Sequence, residues 1–379
     1  MKIVSVVGTR PNFMKLAPIA REFAKRSDVE HFVVHTGQHY DATMSGAFFR
    51  ELGIAAPRYS LAVGAGTHAV QTAAVLERIE PVFESEQPDM VLVYGDVNST
   101  VAAALAAAKM LLPVAHVEAG LRSRDRTMPE ELNRLVTDQL SDLLFAPSPD
   151  AVENLRTEGV AAERIHYAGN IMIDAVIAAL PAVRRLDVPT RYGLKRMKYA
   201  VATLHRPANV DDPDRLRELV AALDRLSRDR PVLFPVHPRT RRRMDDLELT
   251  PTGDGAFKLL APLGYSDMLG LVEASEVVIT DSGGLQEETT YLGVPCVTVR
   301  PNTERPITVS RGTNRLVAPE REAIVGAVEV AVEARPERPP VIERWDGRTA
   351  ERIVAIVCDG ASFDSWHGSR PLRTVLVGA

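Results

Sequence analysis

The sequence predicts an α/β protein built from two Rossmann-like, doubly wound units of parallel strands. Three observations predict it. Short, nearly all-apolar runs of four to six residues alternate with stretches of helical period, the look of strands covered on both faces by helices. The alternation continues over 379 residues, enough for two cores of about 150–200 residues each. The two halves also echo each other: Val91-Leu-Val-Tyr-Gly-Asp96 and Val277-Val-Ile-Thr-Asp281 each end a strand on an aspartate, open a helix and lead to another apolar run.

In chain order the strand candidates are Lys2–Val7, His31–His35, Met90–Tyr94, Val114–Val117, Tyr199–Leu204, Pro231–Val236, Val277–Thr280 and Cys296–Val299. The loop Gly8-Thr-Arg-Pro leaves the first run and opens a helix. Met90–Tyr94 leads through Gly95-Asp-Val-Asn-Ser-Thr into an alanine-rich helix. Pro129 suits a helical first turn, and Leu132, Leu135, Val136, Leu140 and Leu143 follow at a spacing that predicts a core-facing stripe. The junction is placed at Gly169–Lys198, which contains Pro181, Pro189 and an Arg/Lys cluster. The division is therefore a first domain over 1–172, a second over 173–358 and a tail over 359–379 with no assigned role.

Composition narrows the function. Hydrophobic residues make up 45% and charged residues 25%, an ordinary soluble balance, and the net charge is −5. That charge argues against a nucleic-acid groove but permits an anionic substrate held by a few local Arg and Lys. The two cysteines, Cys296 and Cys358, read as thiols in a reducing cytosol. There is no CxxC or HExxH pattern to support a metal site. Met1–Gly8 reads as a strand and not a signal peptide, and no apolar run approaches the roughly 18 residues of a membrane span.

Ligands of open α/β sheets bind beyond the C-terminal ends of strands, so polar residues there matter most. Arg10 and Lys15 lie near the first helix start, where two cations can hold a phosphate or carboxylate; a solvated cap is the other reading. The loop is not GxGxxG, so a dinucleotide fingerprint is missing. In Asp281-Ser-Gly-Gly-Leu-Gln-Glu-Glu288, Gly283 and Gly284 permit a diphosphate to approach backbone N–H groups, and Ser282 adds a hydroxyl. A following acid suits a sugar diol, or simply complements the helix dipole. Asp96 and Glu118 end strands, and Glu130 and Glu131 begin a helix; Glu131 is read as a dipole partner. Carboxylates brought close in a cleft raise one another's proton affinity, so one can act as acid and another as base. His205 and His237 follow strands in the second half, and Arg305 sits in Thr303-Glu-Arg-Pro306 as an anion clamp or a surface turn.

The motifs Val7-Gly-Thr-Arg-Pro, Thr36-Gly-Gln-His-Tyr, Tyr94-Gly-Asp-Val-Asn-Ser-Thr, His116-Val-Glu-Ala-Gly-Leu-Arg122, Met128-Pro-Glu-Glu-Leu-Asn-Arg134, Gly169-Asn, Thr203-Leu-His-Arg206, Val236-His-Pro, Thr280-Asp-Ser-Gly-Gly-Leu-Gln-Glu-Glu288 and Thr303-Glu-Arg-Pro306 occur in this order. Together they resemble the non-hydrolysing UDP-N-acetylglucosamine 2-epimerase family, from the first strand to about Val357. The resemblance implies two Rossmann-like domains facing a cleft, the glycosyltransferase-B arrangement. It further implies a cytoplasmic homodimer serving polysaccharide biosynthesis, with no cofactor, no nucleic-acid partner and no membrane. The implied reaction expels UDP as the C2 proton is lost, giving a 2-acetamidoglucal, and adds UDP back with C2 protonated from the opposite face. By resemblance Asp96, Glu118 and Glu130 in the first domain are the acid/base candidates, and His205 touches the diphosphate or stabilises the leaving group. Arg10, Lys15, Ser282, Gly283, Gly284 and Arg305 hold the anionic parts, Glu288 binds the ribose, and His237 joins the substrate-binding set.

Three departures accompany the resemblance. Ala208 stands where many members carry Glu after His-Arg. Gln38-His-Tyr-Asp-Ala-Thr-Met44 lacks the Arg-Glu-Met of forms that bind a second substrate molecule, which predicts weak or absent substrate activation. The tail, with Trp366 and His367, extends past the usual last helix. Other readings are a 2-epimerase of UDP-2,3-diacetamido-2,3-dideoxy-glucuronate, a hydrolysing epimerase, a glycosyltransferase and a non-catalytic nucleotide-sugar sensor.

Overall fold

The computed structural model describes residues 1–37, 49, 52–251 and 255–359. His39, the rest of the Gln38–Met44 stretch, Trp366 and His367 lie outside the described residues. Among the described residues the strands form two parallel sheets. The first contains β1 (Lys2–Val7), β2 (Glu30–His35), β3 (Tyr59–Ser60), β4 (Met90–Tyr94), β5 (Val114–Val117), β6 (Leu143–Ala146) and β7 (Ile165–Tyr167) in the order β3-β2-β1-β4-β5-β6-β7. The second contains β8 (Ala200–Thr203), β9 (Val232–Pro235), β10 (Phe257–Leu260), β11 (Val277–Thr280), β12 (Cys296–Val299) and β13 (Asn314–Val317) in the order β10-β9-β8-β11-β12-β13. Each order reverses once, between β1 and β4 and between β8 and β11. These are the topological switch points at which doubly wound sheets take ligands.

Strand periodicity explains the cores. Successive side chains point to opposite faces, so Ile3, Leu92 and Tyr94 enter one core with Phe13, Leu16 and Phe23. Val4, Val6, Val91 and Val93 enter the other with Ile79 and Phe83. In the second sheet Ala200, Ala202, Phe234 and Ile279 pack under Leu216 and Leu219, while Tyr199, Val201, Leu233 and Val278 pack against Leu271 and Val272. Both sheets are covered on both faces, so their strands carry no polar side and read as apolar runs.

The chain divides into two compact units. One holds Met1–Gly120 and Arg126–Ile171 and is closed by the helix Thr349–Asp359; the other holds Leu121–Asp125 and Met172–Gly347. The closing helix, assigned from sequence to the second domain, returns to the first. Ala350, Ile353, Val354 and Val357 complete the core that contains Phe23, and Arg26 pairs with Asp359 at 2.9 Å. No helix among the described residues is long and apolar enough to cross a membrane.

The helix Pro129–Leu140 corrects the predicted stripe. Leu132 and Val136 are exposed at 41% and 44%, whereas Glu131, Arg134, Thr137 and Asp138 are buried. Leu143 belongs not to this helix but to β6. The inward face is polar because it meets the charged strand ends described next.

Candidate active site

At the switch point of the first unit, Asn12 ties two strand ends together. Its side-chain oxygen accepts from the Gly8 and Thr9 amides, each at 3.1 Å, and its amide donates to the Tyr94 carbonyl at 2.9 Å. Arg10 occupies the first position of the following helix and is exposed. Asp96 follows β4, and its side chain is 28% exposed. The Arg134 guanidinium pairs with its carboxylate, and Asn133 donates to its backbone carbonyl at 2.8 Å.

The same guanidinium holds Glu131, through Nε at 3.0 Å and Nη2 at 2.6 Å. Glu131 is therefore a buried ion-pair partner and not a helix-dipole acid. An Arg three residues after a Glu lies on the same helix face, which is how one side chain spans both acids.

Glu118 follows β5, the strand beside β4. Its φ of +76° lies in the left-handed region, which costs a non-glycine residue about 1–3 kcal/mol. The side chain is buried and meets the Lys15 ammonium. Lys15, expected to hold a ligand anion, is thus the buried counter-cation of Glu118. Gly95 makes room for this pair: a β-carbon there would lie 2.5 Å from Lys15 Nζ and 3.1 Å from Glu118 Oε2, and its φ is +63°. Glu130 is half-buried, and no ion pair or hydrogen bond involves its carboxylate among the described residues. Beneath both loops, buried His116 faces Asp138 at 2.6 Å and the Gly95 carbonyl at 2.8 Å, while Asp138 accepts from the Gly120 amide at 3.0 Å.

At the switch point of the second unit, His205 follows β8 and Asp281 ends β11. Asp281 is fully buried and accepts from the amides of His205 and Arg206 and from Asn209 Nδ2. His205 Nδ1 lies 2.9 Å from it, and the His205 side chain is 46% exposed. Burial pushes the Asp281 carboxyl up, but His205, Arg206 and Asn209 together outweigh it and hold the group below the ordinary carboxylate range.

Ser282 caps the helix Gly283–Leu292. The two glycines differ. A β-carbon at Gly283 would meet Arg305 Nη1 at 2.5 Å and Glu304 Oε1 at 2.6 Å, so a side chain there would have to displace that buried ion pair. At Gly284 the nearest atom is Met172 Cε at 3.9 Å, so protein packing makes no such demand.

Glu288 is buried; burial first and the adjacent Glu287 second push it up to about 8. Arg305, expected as an anion clamp, is buried between two acids, in contact with Glu304 and 3.0 Å from Glu287. Arg300 also holds Glu304, at 2.7 Å. Burial raises the Glu304 carboxyl, and the Arg305 and Arg300 cations more than reverse this, holding it far below the usual range. His237 is an exposed helix cap whose Nδ1 accepts from the Arg239 amide at 3.2 Å. Ala208 is exposed.

The structure thus gathers Asp96, Glu118 and Lys15 in one unit and His205, Ser282 and Gly284 around Asp281 in the other. Arg134, Asn12, Asp281 and Glu304 were not singled out from sequence, although each lies inside or beside a motif that was.

Parallel sheets with ionised groups gathered at both switch points are the framework of an α/β enzyme. The chain belongs to the UDP-N-acetylglucosamine 2-epimerase family, whose model matches residues 21–358. The UDP-N-acetylglucosamine 2-epimerase of Methanococcus maripaludis is 40% identical over 368 residues, which cover 94% of this chain and 98% of that protein. The UDP-2,3-diacetamido-2,3-dideoxy-D-glucuronate 2-epimerase of Pseudomonas aeruginosa is 42% identical over 336 residues, 88% of this chain and 92% of that one. The crystal structure of the Methanocaldococcus jannaschii UDP-GlcNAc 2-epimerase in complex with UDP-GlcNAc and UDP superposes with a TM-score of 0.87 at 41% identity, covering 94% of this chain and 99% of that chain.

Proposed function

We propose that this chain interconverts UDP-N-acetylglucosamine and UDP-N-acetylmannosamine by eliminating UDP and adding it back. One observation carries the reading: Asp96 and Glu118 end neighbouring strands but hold different counter-cations, Arg134 and Lys15, in different degrees of burial. Inversion at C2 needs one group that takes a proton and another that gives one, and two carboxylates at neighbouring strand ends offer both. In the forward step a carboxylate removes the C2 proton, the C–H electrons form the C1–C2 double bond, and the C1–O electrons leave with UDP. In the return step a phosphate oxygen attacks C1 of the 2-acetamidoglucal and C2 takes a proton on its other face. We place the acid/base work on Asp96, Glu118 and Glu130 without dividing it among them.

The second unit supplies the nucleotide contacts in this reading. Gly284 carries no side chain although nothing in the protein crowds it, which fits a backbone that a diphosphate approaches closely. Ser282 and the amide of Gly283 join it, with His237 as a further anion contact and Glu288 at the ribose, while Arg10 is the anion contact of the first unit. Lys15 and Arg305 act through the acids they neutralise. His205 supports the departing phosphate. Electrostatic groups of this kind suffice without a cofactor. The proposal extends to a cytoplasmic homodimer, a two-fold pair being the commonest oligomer, that feeds polysaccharide synthesis; sedimentation velocity tests the dimer.

A second reading takes UDP-2,3-diacetamido-2,3-dideoxy-glucuronate as substrate, favoured by the 42% identity to the Pseudomonas aeruginosa enzyme. Incubation of the protein with each nucleotide sugar in deuterated water, followed by NMR, separates the two. The first reading expects deuterium at C2 and a UDP-N-acetylmannosamine signal without net UDP release. Exchange only with the uronate selects the second, and exchange with neither refutes both.

A further inference from the structure

A fully enclosed carboxylate stands at the second switch point. Asp281 is fully buried yet ionised, and it sits one residue beyond Thr280, whose register partner Thr203 precedes His205 by two. Its oxygens take three N–H donors: the His205 amide at 3.0 Å, the Arg206 amide at 2.9 Å and Asn209 Nδ2 at 3.1 Å. Asn209 is itself fixed by a second bond to the Val299 carbonyl at 3.0 Å. The fourth neighbour is His205 Nδ1 at 2.9 Å. An ionised carboxylate only accepts, so the imidazole facing it must carry its proton on Nδ1.

We propose that Asp281 is a positioning residue that fixes the Nδ1-protonated form of His205, turns Nε2 outward, and stabilises the imidazolium whose Nε2–H faces the negative charge gathering on a departing phosphate. The inference rests on the epimerase reading for the identity of that phosphate, but the dyad itself does not. With Nδ1 committed to Asp281, neutral His205 offers only a lone pair at Nε2, so an N–H donor toward the phosphate exists only in the imidazolium.

The other charges nearby have partners of their own. Arg206 directs Nε to the Asp281 backbone carbonyl at 3.0 Å, and its guanidinium lies 3.8 Å from Glu304. Glu304 is in turn held by Arg300 and Arg305. No further covalent step is added: the leaving electrons still go to UDP, and the imidazolium keeps both protons.

The test is the ring tautomer of His205, read from nitrogen-15 NMR of the full-length protein, together with steady-state kinetics. In the unmodified protein neutral His205 should be the Nδ1–H tautomer. In Asp281→Asn the three N–H donors claim the amide oxygen, which leaves the NH2 facing Nδ1, so the tautomer should switch to Nε2–H. The kcat should fall by about 10²–10⁴, the range of positioned acid–base groups, with UDP affinity kept within about threefold. In a His205→Asn background Asp281→Asn should cost no further kcat, whereas a purely structural aspartate would cost the same in both. An Nε2–H tautomer in the unmodified protein, or an unchanged tautomer in Asp281→Asn, overturns the proposal. The first of these needs no variant to fold, and both are read without turnover, so a failed epimerase assay leaves this result standing by itself.

Discussion

Replacing Arg134 by methionine is the sharpest test of the first unit. Arg134 is 2% exposed and its guanidinium is shared between Glu131, also 2% exposed, and Asp96, 28% exposed. Arg134→Met takes the Arg134 cation away from one fully buried carboxylate and from one that water still reaches. Breaking a buried pair by removing one partner costs about 3–5 kcal/mol, and nearly all of it should come from Glu131, since a partly exposed pair is screened. At 1.4 kcal/mol per decade this is roughly 100- to 4,000-fold in an equilibrium. Amide exchange of Val91–Val93 in β4 and Ala115–Val117 in β5, which are buried core strands, should quicken by that factor where exchange follows unfolding. The double variant Arg134→Met/Glu131→Leu removes that buried charge as well and should recover most of the loss. If the single variant exchanges within threefold of the parent, or the double variant is no slower than the single, Arg134 is not the buried bridge described.

Other substitutions separate chemistry from packing. Asp96→Asn should lower turnover by about 10²–10⁴ while UDP still binds by calorimetry; near-normal turnover would remove Asp96 from the acid/base set. Gly95→Ala forces a methyl against Lys15 Nζ, 2.5 Å from the ideal β-carbon, and should destabilise by about 1–3 kcal/mol in denaturant unfolding. Gly284→Ala should leave the unfolding midpoint unchanged or slightly raised, by about 0.4–1 kcal/mol, but weaken UDP binding; unimpaired binding would deny that a diphosphate approaches that backbone. Burial, with Glu287 beside it, pushes the Glu288 carboxyl up to about 8 from an ordinary 4.5. The folded state holds that proton more tightly, so its stabilising contribution is complete below 4.5 and lost as pH rises through about 8. Glu288→Gln should therefore be more stable than the parent at pH above 8, a gain that shrinks toward acid; a constant difference across that window would show that Glu288 ionises normally.

Much was legible in the sequence because parallel, doubly covered strands have no polar face. The runs at β1, β4, β5, β8, β11 and β12 announce themselves as short, mostly apolar segments, and the residues that follow them are the strand-end loops where Asp96, Glu118 and His205 stand. The edge strands β3, β7, β10 and β13 are short or half-exposed, so they lack that signal and were not anticipated. β6 was absorbed into the helical spacing of the residues before it.

What the sequence determined by itself was the fold class, the family motifs and the list of acids, bases and glycines. Only the tertiary structure decided who neutralises whom. Lys15 and Glu118 are separated by about a hundred residues, and Arg134 reaches Asp96 across the gap between a helix and a strand end. Arg305 turned inward to Glu304 and Glu287, and Asp281 became the partner of His205. The physical reason is that a covered strand needs only apolar neighbours, which local composition records, whereas a buried charge needs one particular opposite charge, and that partner is chosen by the sheet order that brings distant loops together.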